Sequence, residues 1–287
     1  MRSSFADISR FIEVDAITTH YLDVGSGPNL VLLHSGEFGG CAELSWEFVI
    51  DDLSRHFRVI APDWLGFGRT DKVHDFAQGS ARRIRHMQRF VEIMKIGPAH
   101  YAGNSMGGTV LAQAVAADPS SFPALSLTLI SSGGFMPDNE HRRRLMEYDC
   151  TRDSMRAVLR AMFYDPRWAA DDDYVDRRVA LSLIPGAWEC AAASRFKSPA
   201  AQPRPDFGKA DTTPYEAINV PTLVIAGAED QLRLPGYAPE LAARIPESRV
   251  HVLDHCGHCP NIEKPGSVVP LMVDFIKGVE AARAPTG

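Results

Sequence analysis

Ser105 lies in Gly103-Asn104-Ser105-Met106-Gly107-Gly108, between a strand-like run ending at Gly103 and a helix-like run from Thr109 to Ala117. A serine on a tight strand-to-helix turn cannot hide its hydroxyl, and its neighbours must be small because strand and helix meet closely there. Such an alcohol is a poor nucleophile until a base takes its proton, and that base is usually a histidine oriented by a carboxylate. Without those partners the motif is only a turn that needs a small residue. Two later segments carry the right types, each just after a strand-like run: Asp230, closing Ala226-Gly227-Ala228-Glu229-Asp230, and His258, in Asp254-His255-Cys256-Gly257-His258-Cys259-Pro260. His258 is preferred over His255 because Gly257 lets the loop bend back toward the serine. Asp230 is preferred over Glu229 and Asp254 for its place at a strand end. A third strand end supplies His34-Ser35-Gly36-Glu37-Phe38-Gly39-Gly40, whose backbone N–H groups at Gly36, with that of Met106, can hold an oxyanion.

Other residues admit two readings. Projected on a helix from Tyr174 to Ile184, Arg178 falls inside the apolar arc, beside Tyr174, Val175, Leu181 and Ser182. An arginine facing inward is costly unless an anion meets it, and a protein carboxylate or a substrate carboxylate would serve equally. Asn104 either donates to an anionic ligand or braces the serine turn. Glu37 lines a pocket or is a surface charge; nothing in the sequence decides. Cys256-Gly257-His258-Cys259 spells a disulfide-exchange motif, but that chemistry starts a helix in a small thioredoxin-like unit, so the thiols read as packing residues. The runs Arg82-Arg83-Arg85 and Arg142-Arg143-Arg144 read as solvated helix faces, Arg177 as solvated, and Phe163 and Trp188 as core aromatics.

The elements that must position these groups alternate. Short apolar runs at Leu30 to Leu33 and Arg58 to Asp63 read as buried strands, and Leu125 to Ile130, Thr222 to Ala226 and Arg249 to Leu253 as further strands. Phe11 to Gly25 reads as a hairpin and turn. Helical spacing covers Ser45 to His56, Arg82 to Ile96, Ala238 to Ile245 and Ser267 to Ala281. Repeated strand–helix alternation predicts an α/β fold with a mostly parallel sheet covered on both faces. The interruption between Gly133 and Asp211 is too long for a structureless loop and carries three helical stretches, His141 to Cys150, Ser154 to Tyr164 and Asp171 to Ile184. It reads as a helical lid over residues 135–208, set into a core of residues 1–134 and 209–287, with Ser198 to Pro205 as its return linker.

With 287 residues and a net charge of −6, the chain can bury a large core and lacks the basic face that nucleic acid requires. No apolar run approaches a membrane span, and Met1 to Phe11 lacks the apolar core of a secretory signal. Five cysteines, an odd number, suggest reduced thiols and a cytoplasmic location. No nucleotide, flavin or zinc spacing is present, so no cofactor or metal is expected.

Taken together, these segments resemble the α/β-hydrolase superfamily over nearly the whole length from Val31, and share its chain order of Ser105, Asp230, His258. Within it they are most similar to the meta-cleavage-product hydrolases, on Gly103 to Gly108, on Cys256-Gly257-His258 with Glu263, on Met162-Phe163-Tyr164-Asp165-Pro166, and on Arg178 with Pro185-Gly186. The family usually shows a run of glycines and a proline after its histidine, where this chain has Ser35, Glu37 and Phe38. The resemblance implies carbon–carbon bond hydrolysis of a 2-hydroxy-6-oxo-hexa-2,4-dienoate by a triad of Ser105, His258 and Asp230. It tips Arg178 toward a substrate carboxylate, with Asn104 and Ser35 as further substrate contacts. Water is the second substrate, and relatives are often dimers or larger. An ester or lactone hydrolase on the same scaffold is the alternative, and a receptor with a slow triad stands further off.

Overall fold

A computed structural model describes residues 4–76, 79–193 and 207–283. The expected return linker from Ser198 to Pro205 lies outside the described residues. Among the described residues eight strands form one sheet: β1 Ser9–Val14, β2 Ile17–Val24, β3 Asn29–Leu33, β4 Arg58–Pro62, β5 Ala99–Asn104, β6 Ala124–Ile130, β7 Thr222–Gly227 and β8 Ser248–Leu253. Their spatial order is β1-β2-β4-β3-β5-β6-β7-β8. The β1–β2 hairpin and the β2–β4 pairing are antiparallel; β4, β3, β5, β6, β7 and β8 run parallel.

Successive side chains of a strand face opposite sides, and in β3, β4, β5 and β7 both sides are buried, while the edge strand β8 is largely exposed. Val31 and Leu33 pack in one core with Met87, Phe90, Leu111 and Leu241, under the helices Gly79–Ile93, Met106–Ala117 and Tyr237–Ala243. Leu30 and Leu32 pack in the other with Trp46, Leu53, Met272 and Ile276, under Ala42–Trp46, Ile50–Leu53 and Pro265–Arg283. The single helix expected from Ser45 to His56 is two short ones. Val49 sits between them at φ −124°, ψ −22°, off the helical region.

Between β6 and β7 the chain forms the helices Glu140–Met146, Arg152–Met162, Arg167–Ala170, Asp172–Ser182 and Ala187–Ala192. They share a third apolar cluster in which Met155, Leu159, Met162, Phe163, Trp168 and Val175 meet Phe38 and Ile262 of the sheet's loops. Among the described residues no helix is long and apolar enough to cross a membrane.

One topological feature places the site. β3 lies between β4, on one side, and β5, on the other, so the strand order reverses there. In an open parallel sheet the crevice outside the carboxyl ends of strands at such a reversal is where ligands bind. The chain leaves β3 into His34 to Gly40, and β5 into Ser105.

Candidate active site

Ser105 follows β5 directly and precedes the helix Met106–Ala117, with φ +51° and ψ −113°. That conformation is strained for a residue with a Cβ, and such strain marks functional turns. Glycines on either side allow it. A Cβ on Gly103 would lie 2.3 Å from the Gly108 nitrogen, and one on Gly107 would lie 2.2 Å from the Leu33 carbonyl oxygen. No larger residue fits either place.

Two loops bring the partners. His258 Nε2 lies 2.7 Å from Ser105 Oγ, and His258 Nδ1 lies 2.7 Å from Asp230 Oδ2. Asp230 and His258 are both buried. Burial pushes the Asp230 carboxyl up, but His258, Arg233 and the Leu232 N–H outweigh it and hold the group below the usual aspartate value. The imidazole is held from behind as well: the His258 N–H donates to the Met162 carbonyl at 2.7 Å, and Asn104 Nδ2 donates to the His258 carbonyl at 3.3 Å.

Glu263 ties the histidine loop to the helices between β6 and β7. Its carboxylate accepts the Gly257 N–H at 2.8 Å and the Tyr164 N–H at 2.9 Å. His255, by contrast, is exposed, with Nδ1 3.2 Å from the Tyr164 hydroxyl. Glu229 accepts the Cys256 N–H. Cys256 and Cys259 are buried free thiols, and burial pushes both up, the opposite of what thiol exchange needs.

Ser105 and His258 open on a cavity of about 260 Å³. Gly36 and Met106 line it beside the serine, and a Cβ on Gly36 would lie 2.6 Å from the Met106 sulfur, so the two loops are in close contact. Met106 is the first residue of its helix, and the first N–H groups of a helix have no partner within it. Phe38, Val110, Met136, Leu145, Met146 and Met162 supply apolar walls; Arg142, Arg233, Gln113 and Ser80 supply polar ones.

The three residues expected to contact substrate do not line this cavity. Arg178 is fully buried, and its Nη1 donates to Glu37 Oε1 at 2.8 Å and its Nη2 to the Tyr174 hydroxyl at 2.9 Å. The anion that its inward position demands is therefore a protein carboxylate, which corrects the expectation of a substrate carboxylate. Burial pushes Glu37 up, and Arg178 more than reverses this, holding it below the usual glutamate value. Asn104 Nδ2 also donates to the Ile130 carbonyl at 3.2 Å, so it braces the turn and the histidine loop. Ser35 Oγ sits 3.3 Å from Ser45 Oγ behind the loop. Arg177 pairs with Glu47, and Trp188 stacks on Phe38.

Sequence reasoning missed both arginines that line the cavity. Arg142 was grouped with Arg143 and Arg144 as solvated, yet it is buried while Arg143 is exposed. The signal was its spacing: Leu145 and Met146, three and four residues on, share its helix face. Arg233 stands three residues after Asp230, in a loop already committed to the serine.

A model of the alpha/beta hydrolase family matches residues 30–271. The chain is similar to a 2-hydroxy-6-oxo-6-(2'-aminophenyl)hexa-2,4-dienoic acid hydrolase of Metapseudomonas resinovorans, with 32% identity over 96% of this chain and 93% of that one. It is 30% identical to a 2-hydroxy-6-oxo-2,4-heptadienoate hydrolase of Pseudomonas putida, over 94% of this chain and 97% of the other. Among solved structures it is similar to a meta-cleavage product hydrolase from Pseudomonas fluorescens IP01, with a TM-score of 0.83, 26% identity, and coverage of 95% of this chain and 99% of that one.

Proposed function

We propose, for a chain that belongs to the alpha/beta hydrolase family, that Ser105, His258 and Asp230 hydrolyse a carbon–carbon bond in a 2-hydroxy-6-oxo-hexa-2,4-dienoate. The observation that carries the reading is the pair of 2.7 Å contacts joining Ser105, His258 and Asp230 at the mouth of a mostly apolar cavity. The names of the most similar relatives support this substrate class over others that the same three groups could serve.

The chemistry has two stages. His258 first moves the proton that converts the dienol to its keto form, so that the leaving fragment can depart as a stabilised enolate. Ser105, its proton taken by His258, then attacks the remote carbonyl. The N–H groups of Gly36 and Met106 meet the developing oxyanion, each worth about 3 kcal/mol in comparable sites. Asp230 holds His258 in the tautomer that accepts from Ser105. The carbon–carbon bond breaks, the enolate takes a proton, and water releases the acyl group as an acid through the same histidine.

The helices between β6 and β7 act as a lid in this reading: residues 135–208 form the cap, and residues 1–134 and 209–287 the core. Arg142, Leu145, Met146 and Met162 of those helices line the cavity, which supports the assignment.

Mixing the enzyme with such a dienoate and following its visible absorbance tests the proposal. Rapid loss of colour is expected, slowed about 10⁴-fold or more in Ser105→Ala. Fast turnover of simple esters with no dienoate cleavage replaces the reading with an ester hydrolase. Undiminished cleavage by the variant removes Ser105 from the chemistry altogether.

A further inference from the structure

Two guanidinium groups face the cavity beside Ser105 without a carboxylate. Arg142 comes from the helix Glu140–Met146, and Arg233 from the loop after β7. They are 8% and 4% exposed. Arg142 Nη2 donates to the Leu232 carbonyl at 2.6 Å; Arg233 Nη1 and Nη2 donate to the carbonyls of Gly133 and Ser131 at 2.6 and 3.0 Å. The Nε of each is buried with no partner. Among the described residues neither forms an ion pair with a carboxylate: Glu37 is taken by Arg178, and Asp230 by His258.

Bonds to carbonyls satisfy donors but leave the charge. Of the buried carboxylates among the described residues (Glu37, Asp63, Asp230, Glu263), Glu37 pairs with Arg178 and Asp230 with His258, and none forms an ion pair with Arg142 or Arg233. A buried charge without a counter-ion is costly to keep in a folded protein. A purely structural role for the two arginines, tying the Ser131–Gly133 and Leu232 backbones in place, accounts for their Nη donors. It leaves two like charges turned to one cavity and two Nε donors unexplained. Burial and the Arg233 charge push Arg142 down to about 10, which Asp230 only partly offsets.

We propose that Arg142 and Arg233 form the subsite that receives a substrate carboxylate, the task the sequence had given to Arg178. A guanidinium suits this because its fork of donors matches a carboxylate. The inference rests on the hydrolytic reading of Ser105. The carboxylate is that of the dienoate itself, on the leaving fragment, or a second acid on the acyl fragment, and a test can separate the two.

Two matched ester pairs do so, since neither needs carbon–carbon cleavage. In the first, 4-nitrophenyl butyrate is compared with 4-nitrophenyl hemisuccinate, which puts a carboxylate on the acyl side. In the second, 4-nitrophenyl acetate is compared with 3-carboxy-4-nitrophenyl acetate, which puts it on the leaving side. The charged member of one pair should show kcat/KM about tenfold or more above its neutral partner, and the pair that does so names the source. In Arg142→Met and in Arg233→Met that ratio should fall toward one, whatever the overall rate. A wild-type enzyme that prefers the neutral ester in both pairs overturns the proposal, as does a ratio that survives both substitutions. Should no ester turn over, calorimetric binding of glutarate to Ser105→Ala decides. Binding lost with either arginine supports the subsite, and no binding, or binding indifferent to both, removes it. Absence of dienoate cleavage alone removes the carbon–carbon reading and leaves this result standing.

Discussion

Glu37 Oε1 lies 2.8 Å from Arg178 Nη1, with both side chains almost wholly out of solvent. The acid comes from the loop after β3 and the base from the helix Asp172–Ser182, so the pair joins that loop to the helices between β6 and β7. A glutamate that the sequence left undecided and an arginine it gave to the substrate turn out to answer each other.

Removing one partner should therefore be worse than removing both. Arg178→Met alone leaves Glu37 buried and unpaired, and is expected to cost about 3–5 kcal/mol in urea unfolding. The double variant Glu37→Met/Arg178→Met should recover most of that loss. Equal destabilisation by the single and double variants would mean that the ion pair is incidental to packing.

The same pair sets an acid dependence. Glu37 is held below its usual value in the folded protein. Its unfolded value is about 4.3. The stability it contributes is thus fully present above about 4.3 and is lost as pH falls through the lower folded value. The stability difference between wild type and Glu37→Gln should be constant near neutrality and shrink below about pH 4. A difference that widens on acidification contradicts the assignment.

Asp230→Asn should keep the fold but lose the tautomer that His258 needs. Its kcat on a dienoate or ester is expected to drop about 10⁴-fold, with KM little changed. A drop of less than tenfold would remove Asp230 from the catalytic group and point to Glu229 or another acid.

Glu263 joins the helices between β6 and β7 to the histidine loop. Glu263→Ala strands the buried N–H of Gly257, at about 1–3 kcal/mol, and frees the part-buried N–H of Tyr164 at a smaller cost, so the melting temperature should fall. Because Gly257 precedes His258, kcat should fall with it even at temperatures where the variant is folded. Full kcat in a folded Glu263→Ala would show that His258 is placed without this carboxylate.

How far the sequence reached differs from residue to residue. Ser105, Asp230 and His258 were legible because each stands where a local rule applies: a strand end, a glycine that frees a loop, a chain order. Most strands were legible because burial on both faces requires short continuous apolar runs. The broken helix at Val49 was not, since periodicity over a dozen residues is blind to one residue leaving the helical region.

Local pattern by itself determined which side chains belong at the sheet's carboxyl edge, because strand period and turn chemistry act over a few neighbours. It also determined that Arg178 points inward. What only the tertiary structure decided is which charge meets which. Glu37 and Arg178 are 141 residues apart in the chain, and Arg142 and Arg233 come from segments on either side of β7. Helix projection locates a charge on a face; its counter-ion arrives from another element. That pairing depends on how the helices between β6 and β7 pack on the loops of the sheet, and no span of sequence short enough to show a period contains it.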